Sequence, residues 1–260
     1  SNKWKFLLTG AATLTLLTAC TQASSQSATK SNTAQTTATS TSKNKTNNSN
    51  YFTDKDKDSS YDESKASTVK LSGSSASVSG DGVAVSGSTV TISKAGTYVI
   101  SGESDGVQIK VEAGDSDDVH IVLKGVTMTN TNAPISATKA GHVYLTLADG
   151  TTNTLSDSSS NNDEDADAVI FSKGDLTING SGTLNIDAKK NNGIKANDTL
   201  HITGGTYKIT AVGDAFNVND ELNITGTTMT IDADEDAVKV DNDEDTSVGT
   251  MYLSDNKMTI

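Results

Sequence analysis

The chain contains no arginine, so every formal positive charge on its side chains at neutral pH belongs to lysine. Mechanisms that need a guanidinium as a catalytic base or as a clamp for an anion are therefore excluded. Acidic residues outnumber lysines, and the formal net charge is −13. A surface this acidic cannot neutralise the phosphates of a nucleic acid, and we predict no nucleic-acid partner.

Cysteine occurs once, at Cys20, which excludes an internal disulfide and a thiolate metal site. Lys3 and Lys5 precede a short apolar segment over residues 6–17, and small residues stand just before Cys20. This layout is typical of a secretory signal, and its end resembles the bacterial lipobox, in which the cysteine is acylated. A membrane-spanning anchor is the alternative, but it needs a longer apolar run. We therefore predict a lipoprotein signal peptide over residues 1–19, lipidation of Cys20, and anchoring in the bacterial cell envelope at the extracellular face of the plasma membrane.

Large apolar side chains are almost absent from residues 21–50, where Ser, Thr, Gln, Asn, Ala and Lys predominate. Such a segment buries too little apolar surface to offset the entropy lost on ordering. Residues 51–67 add acidic and basic side chains and two tyrosines, which suit either a charged linker or the first ordered residues. We predict a disordered tether over residues 20–67 and one folded domain over residues 68–260.

Helical periodicity is also absent, and the last hundred residues instead contain a repeat of about 22 residues. Four segments that open alike begin at Asp167, Asn192, Asp214 and Asp236, at intervals of 25, 22 and 22 residues. After the openings come short runs in which apolar and polar residues alternate, separated by Gly, Asn and Asp. A unit of this length cannot bury an apolar face alone, but units stacked as coils form a continuous core.

The stacking of like residues predicts an all-β fold, a right-handed parallel β-helix with coils of about 22 residues. A β-sandwich or a barrel of hairpins is the alternative. Hairpins, however, do not require the same residue types to recur at a fixed offset along the chain. The repeat therefore favours the β-helix, preceded by the disordered tether.

A set of short motifs between about residue 90 and the end resembles a family of secreted β-helix proteins. The motifs are VTM at 126–128, API at 133–135, NTLSD at 153–157, GDLTINGSGTL at 174–184, GIK at 193–195 and TGGT at 203–206. The family is typified by a clostridial carbohydrate-binding protein with a pectate-lyase-like fold. The resemblance implies a β-helix that binds cellulose-like or polygalacturonate-like polymers, carries calcium and has no firmly established catalytic role.

Acidic residues are concentrated at the predicted corners between strands. On stacked coils, equivalent corner residues lie about 4.8 Å apart, and like charges at that distance repel unless a cation screens them. Calcium tolerates irregular sets of oxygen ligands, and the resemblance implies it as well. The predicted ligands are Asp165, Asp167, Asp214, Asp234, Asp236, Asp241, Asp243 and Asp245. The alternative is that these residues are solvated charges that keep the protein soluble.

Aromatic residues that could stack on sugar rings are scarce, and the single tryptophan, Trp4, lies in the signal segment. A polysaccharide-binding surface on this chain would therefore be flat and polar. The predicted surface is a ladder of outward side chains on neighbouring strands, formed by Thr206, Lys208, Thr228 and Thr230. Threonine also favours solvated strands because of its β-propensity alone, which is the alternative interpretation of this ladder.

Catalysis has less support in the sequence than binding. Carboxylates are so numerous that finding two of them together is not evidence of glycoside hydrolysis. Because the chain has no arginine, the candidate bases of a lyase are Lys195 and Lys239. We predict no catalytic residue, and a cell-surface lipoprotein that binds acidic or cellulose-like polysaccharide through a calcium-stabilised β-helix. A polysaccharide lyase or hydrolase is one alternative, and a surface adhesin or structural protein is the other.

Overall fold

A computed structural model of the protein describes residues 50–260. The predicted signal peptide, the predicted lipidation site Cys20 and residues 20–49 of the predicted tether lie outside the described residues. Within residues 50–260, no helix is both long enough and apolar enough to cross a membrane.

The described part of the chain consists mainly of short β-strands, with one short helix before the first of them. In chain order the elements are α1 (Asp54–Lys57), β1 (Ser67–Gly73), β2 (Ser75–Ser79), β3 (Val83–Ser86), β4 (Thr89–Ile92), β5 (Gly96–Asp105), β6 (Gln108–Glu112), β7 (Asp118–Thr129), β8 (Ile135–Lys139), β9 (His142–Leu147), β10 (Thr152–Ser156), β11 (Ala168–Ser172), β12 (Leu176–Gly180), β13 (Thr183–Ala188), β14 (Asn192–Ala196), β15 (Thr199–Thr203), β16 (Thr206–Ala211), β17 (Phe216–Val218), β18 (Glu221–Thr225), β19 (Thr228–Ala233), β20 (Val238–Val240), β21 (Thr250–Ser254) and β22 (Lys257–Thr259). These strands coincide with the alternating runs of the sequence, since a strand turns successive side chains to opposite faces.

The strands pair in parallel from one coil to the next, except in the antiparallel hairpins β1–β2 and β3–β4 near the start. The long strand β7 pairs with β9 along its first half and with β10 along its second half. A sheet of 14 strands therefore divides into two ladders, and a sheet of eight strands forms the third side. We call the ladder β9-β12-β15-β18-β21 face A, the ladder β10-β13-β16-β19-β22 face B, and the ladder β8-β11-β14-β17-β20 face C. The predicted all-β parallel β-helix is confirmed.

The register of pairing places like residues of successive coils above one another, as the repeat predicts. On face A, Leu176 pairs with Leu200, and Leu200 pairs with Leu222. All three are buried, and Tyr207 on face B is buried with them in the core. The Tyr207 hydroxyl donates a hydrogen bond to the carbonyl oxygen of Gly204 at 3.0 Å, so its polar atom is satisfied inside the apolar core.

One corner repeats a left-handed backbone on four coils, where face A turns into face B. Gly180, Gly204 and Gly226 have φ values of 88°, 77° and 68°, and Asp255 continues the series at 54°. At Gly180 a Cβ would also collide with the carbonyl oxygen of Leu147 on the previous coil. Glycine is favoured at this corner because it reaches positive φ without steric cost and lets neighbouring coils approach closely.

Residues 50–66, which we call the strap, cross the outside of face A. They fall in the segment predicted as tether, and here the structure differs from the prediction. Phe52 and Asp56 are buried, and Thr53 caps α1 by accepting a hydrogen bond from the backbone N–H of Asp56. One buried ring and one buried carboxylate give an otherwise polar segment contacts that offset its ordering entropy. The ordered part of the chain therefore includes the strap as well as residues 68–260.

The stacked core makes a direct prediction about stability. Leu200 is fully buried between two other leucines, so Leu200→Ala should lower the free energy of unfolding by about 2 to 5 kcal/mol through lost burial and a residual cavity. Thr210→Ala on the outside of the same coil should change it by less than about 0.5 kcal/mol. Urea unfolding followed by circular dichroism measures both, and equal effects of the two substitutions would contradict the inward placement of Leu200.

Candidate functional site

Face B presents a flat, exposed ladder of polar side chains. In β16 and β19 exposed residues alternate strictly with buried ones until the last residue of β19, which is half-buried, so the outward side of each strand is open to solvent. The register pairs Thr206 with Thr228 and Lys208 with Thr230. The structure thus brings the four predicted carbohydrate-binding residues onto one surface.

The ladder on face B continues beyond these four residues. Thr183 and Asn185 precede it on β13, and Lys257 and Thr259 follow it on β22. In the described part of the chain, the outward residues of β13, β16, β19 and β22 include no aromatic ring. Face B therefore offers hydroxyl, amide and ammonium groups, with carboxylates at Asp187 and Asp232, and no surface for ring stacking.

Face A also presents an outward ladder, and this one contains aromatic rings. Its central rung consists, in order of pairing from β7 to β21, of His120, Tyr144, Thr177, His201, Asn223 and Tyr252. A second rung beside it contains Thr146, Asn179 and Thr203. His120 and His201 both lie on this rung and face away from the core. Sequence reasoning did not single out this rung as a site.

The strap lies directly on the central rung. The ring of Tyr51 stacks on that of Tyr252, with centroids 3.6 Å apart and planes 4° from parallel. The Asn223 side-chain amide donates to the carbonyl oxygen of Tyr51 at 2.9 Å. The buried ring of Phe52 meets His201 edge-on at 5.5 Å between centroids. The first residues of the strap are thus held by rings and one amide of face A.

Asp56 is the most heavily bonded residue of the strap, and its side chain is almost fully buried. Its carboxylate accepts a hydrogen bond from the Thr177 hydroxyl at 2.6 Å and pairs with His201 Nδ1 at 3.0 Å. The other ring nitrogen of His201 lies 2.7 Å from a carboxylate oxygen of Glu221. The backbone carbonyl of Asp56 accepts from the Thr203 hydroxyl at 2.7 Å. One strap residue therefore bonds to two neighbouring coils of face A.

The contact between strap and sheet contains two groups with shifted pKa values. Burial acts to raise the pKa of Asp56, but hydrogen bonds, chiefly from His201 and Thr177, outweigh it and hold the pKa well below its usual range. Burial acts to lower the pKa of His201, but hydrogen bonds to Asp56 and Glu221 outweigh it and raise the pKa above its usual value. Each group thus stabilises the charged form of the other.

A second feature is an acidic cleft of about 480 Å³ at the corner where face C turns into face A. It is lined by Lys173, Asn197, Asp198, Asn219, Asp220, Asp241, Asn242, Asp243 and Glu244. Burial raises the pKa of Asp198, and the neighbouring carboxylates of Asp175 and Asp220 raise it further. Asn242 donates to the Asp220 carboxylate at 2.7 Å. Asp198 therefore lies where neighbouring carboxylates disfavour its charged form.

The predicted metal ligands divide between two corners. Asp165, Asp167, Asp214, Asp234 and Asp236 lie at the corner that precedes face C, whereas Asp241, Asp243 and Asp245 lie in the excursion after β20. Of these, Asp241 and Asp243 line the acidic cleft. Across residues 50–260, no three or more His, Cys, Asp or Glu side chains are grouped closely enough to hold a metal ion.

At the corner before face C, the carboxylates of two predicted ligands are bonded to other groups of the protein. The Asp167 carboxylate pairs with the Lys195 ammonium at 2.6 Å. Asp214 is buried, and its carboxylate accepts from the Asn217 amide at 2.7 Å and from the backbone N–H of Asp236 at 3.0 Å. The sequence treated these carboxylates as repelling neighbours, but on this corner each is satisfied by protein donors.

Asp198 and Asp220 were missed by sequence reasoning, although a signal for them exists. The pair Asn-Asp occurs at 197–198 and again at 219–220, at the 22-residue interval of the repeat. Asp56 had no comparable signal, because its partner His201 lies 145 residues away along the chain.

A parallel β-helix with an acidic corner and an open polar ladder defines the structural class, and comparison with known proteins gives the family. The model of the family described as carbohydrate-binding domain-containing protein matches residues 86–260. The chain belongs to this family, and the resemblance recognised in the sequence is confirmed.

Two relatives illustrate the family. A carbohydrate-binding domain-containing protein of Acetivibrio thermocellus is 37% identical over 126 residues, which cover 46% of this chain and 44% of that protein. The match thus spans less than half of the relative's length. The solved structure of a polysaccharide lyase-like protein from C. thermocellum, a gadolinium derivative, superimposes with a TM-score of 0.70 and 34% identity, covering 74% of this chain and 82% of that one.

The pKa shifts at the strap predict a pH optimum for its contact with face A. The raised pKa of His201 gives stability that is complete below the ordinary histidine value of 6.5 and is lost as pH rises through the folded value. The lowered pKa of Asp56 gives stability that is present above its ordinary value of 3.8 and is lost as pH falls. The contact should therefore be most stable between about pH 4 and 6.5.

Thermal unfolding of the parent chain and of its variants between pH 5 and 8.5 checks this expectation. Groups other than the substituted one titrate equally in variant and parent, so a difference between their pH curves belongs to the substituted residue. His201→Gln should show a smaller loss of midpoint with rising pH than the parent chain. His142→Gln is the matched control, because that ring bonds to the Thr177 hydroxyl at 2.8 Å and to no carboxylate. Parallel pH curves for His201→Gln and the parent would contradict the assignment.

Proposed function

We propose that the protein binds polysaccharide of acidic or cellulose-like type at a bacterial cell surface, without cleaving it. Membership of the carbohydrate-binding family and the likeness to a polysaccharide lyase-like structure support polysaccharide as the ligand. The observation that carries the proposal is the open ladder on face B. It extends over successive coils in one direction, as a surface for a linear polymer must.

The chemistry of the ladder suits sugars that carry hydroxyl and carboxylate groups. Thr206, Thr228 and Thr230 can donate to and accept from hydroxyls, and the ammonium of Lys208 can pair with a uronate carboxylate. With a formal net charge of −13, most of the surface repels a polyuronate, so the lysines of this ladder determine where such a polymer can approach. Lys257 adds a second ammonium on the same face.

A non-catalytic role is supported by the state of the candidate base. A lysine must lose its proton to act as a base, and the Lys195 ammonium is paired with Asp167 at 2.6 Å. Lys239 lies two coils away on the same outward rung, separated from Lys195 by Asn217. The two candidate bases therefore do not act together.

Calcium is the cation that the proposal assigns to the acidic cleft. Carboxylates of Asp198, Asp220, Asp241 and Asp243 line this cleft with the amides of neighbouring asparagines. They are not grouped closely enough in the structure to hold a metal ion, so calcium binding would draw these oxygen ligands together. When bound, calcium would neutralise the repulsion at this corner and could bridge to a uronate. The related C. thermocellum structure is a gadolinium derivative, and that hard trivalent cation seeks the same oxygen ligands.

Attachment to the membrane through acylated Cys20 completes the proposal. It rests on the lipobox-like segment alone, and residues 1–49 would serve as signal and tether. The membrane fraction of producing cells is where this part would be checked.

If the ladder on face B binds polysaccharide, substitutions in the ladder should weaken that binding. The double variant Lys208→Ala with Thr230→Ala removes two hydrogen-bonding groups, each contributing about 1 kcal/mol, and should weaken binding of polygalacturonate about tenfold or more. Lys239→Ala removes the same charge from face C and should leave the affinity unchanged. Titration calorimetry measures both. Unchanged binding by the double variant would remove face B from the proposal, and release of unsaturated uronate during the titration would establish a lyase instead.

Calcium binding predicts a shift in thermal stability. At a calcium concentration about 100 times the dissociation constant, a site present only in the folded state adds about 2.7 kcal/mol of stability. Asp220→Asn should abolish the difference between calcium and chelator. Asp232→Asn removes one charge from an exposed position on β19 and should retain it. Identical unfolding curves of the parent chain with calcium and with chelator would refute the calcium site.

A further inference from the structure

We propose that face A is a second carbohydrate-binding surface, for a neutral cellulose-like polymer, and that the strap occupies it and must be displaced before the polymer binds. The inference rests on the proposed function and deepens it, since it names a further site and its regulation. Its basis is the set of contacts that the strap makes with the central rung.

The strap contacts face A as a linear ligand would. It runs across the strands and meets one coil after another, from Tyr252 on β21 through His201 on β15 to Tyr144 on β9, where the Lys55 ammonium lies 4.6 Å from the ring centroid. Apart from the Asp56–His201 ion pair and the Lys55 ammonium, which contacts Asp118 and Tyr144, the bonds are of two kinds. They are stacking on rings and hydrogen bonds donated by neutral hydroxyl and amide groups. These are the interactions by which pyranose rings and their hydroxyls are held.

The polar side chains under the strap donate mainly to backbone carbonyl oxygens. The Asn179 amide donates to the carbonyls of Asp56 and Asp58 at 3.2 and 3.1 Å, and the Asn223 amide donates to that of Tyr51 at 2.9 Å. A carbonyl oxygen is a neutral acceptor, as a sugar hydroxyl or ring oxygen is. Amides that donate hydrogen bonds to carbonyl oxygens of the strap can donate to the oxygen atoms of a neutral polymer with little rearrangement.

A neutral polymer fits face A better than a uronate does. Glu221, Asp118 and the carboxylates near Tyr144 place negative charge along the central rung, and the only positive group paired within it is His201. Face B has the opposite character, with lysines and no rings. The neutral polymer is therefore assigned to face A, where rings can stack on it, and the polyuronate to face B, where lysines can pair with its carboxylates.

The attachment of the strap is concentrated at few points. Within residues 50–66 only Phe52 and Asp56 have buried side chains. The ion pairs Lys55–Asp118 and Glu63–Lys124 involve side chains that are about half exposed, where such pairs add little stability. A segment with so few buried groups opens locally at a fraction of the cost of global unfolding. Loss of the Asp56 contacts should therefore release it.

The strap also leaves space beside the rung. A cavity of about 250 Å³ is lined by Tyr144 and His120 on one side and by Lys55, Asp58 and Ser60 of the strap on the other. The space is open to solvent and has both polar and apolar walls. The end of a polymer can enter here next to a ring of face A and then replace the strap coil by coil.

Binding of cellohexaose to the full chain tests the inference. Asp56→Ala removes the central bonds of the strap, and we expect it to increase affinity at least tenfold. Asp54→Ala is the matched control, because it removes an exposed carboxylate from the same helix and should leave affinity at the parental value. In the Asp56→Ala background, Tyr252→Ala should reduce the affinity again. Phe52→Ser, which releases the strap through a different contact, repeats the test should Asp56→Ala fold poorly.

The outcomes separate this inference from the proposed function. Equal affinity of the parent, Asp56→Ala and Phe52→Ser for cellohexaose, with polygalacturonate binding still lost in the Lys208→Ala and Thr230→Ala variant, would overturn the strap inference and leave the proposed function in place. Binding of neither polymer by any variant would overturn both. The strap inference would also be overturned if release of the strap raised the affinity and Tyr252→Ala did not lower it again, since the polymer would then bind elsewhere.

Discussion

Parallel backbone pairing between successive coils is the constraint on which the other features depend. It holds neighbouring strands about 4.8 Å apart and keeps them in register, so each side chain lies above its equivalent on the coil below. Inside, this produces columns such as Leu176, Leu200 and Leu222. Outside, it produces rungs of polar side chains that continue over many coils. A residue type that recurs at one position of the repeat unit therefore forms a column or a rung along the helix.

The same constraint creates an electrostatic problem at the corners, because acidic residues stack as regularly as leucines do. The two acidic corners differ in how far protein donors relieve this repulsion. At the corner before face C, protein donors bond to the carboxylates of Asp167 and Asp214, as the Asn217 amide and the Asp236 N–H do for Asp214. At the corner before face A, Asp198 and Asp220 line one cleft, where neighbouring carboxylates disfavour the charged form of Asp198. The proximity of these carboxylates is the physical argument for the cation proposed at the second corner.

The outer faces differ because the rungs differ in chemistry and in what covers them. Face B is open and carries hydroxyls and lysines. Face A carries rings and amides, and the strap covers it through contacts that centre on Asp56 and His201. The β-helix thus supplies a rigid set of regular surfaces, and the choice of outward residue and of covering segment decides what each surface can bind.

The sequence by itself determined the parallel β-helix, its period and the alignment of Thr206 with Thr228 and of Lys208 with Thr230. These features are local or repeat at a fixed offset, so alternation and self-similarity reveal them. Only the tertiary structure decided that residues 50–66 are ordered, that Asp56 pairs with His201, and that Asp198 and Asp220 form a cleft with the excursion after β20. The strap packs against residues far along the chain and shares no period with them. Contacts of that kind leave no pattern in a single sequence.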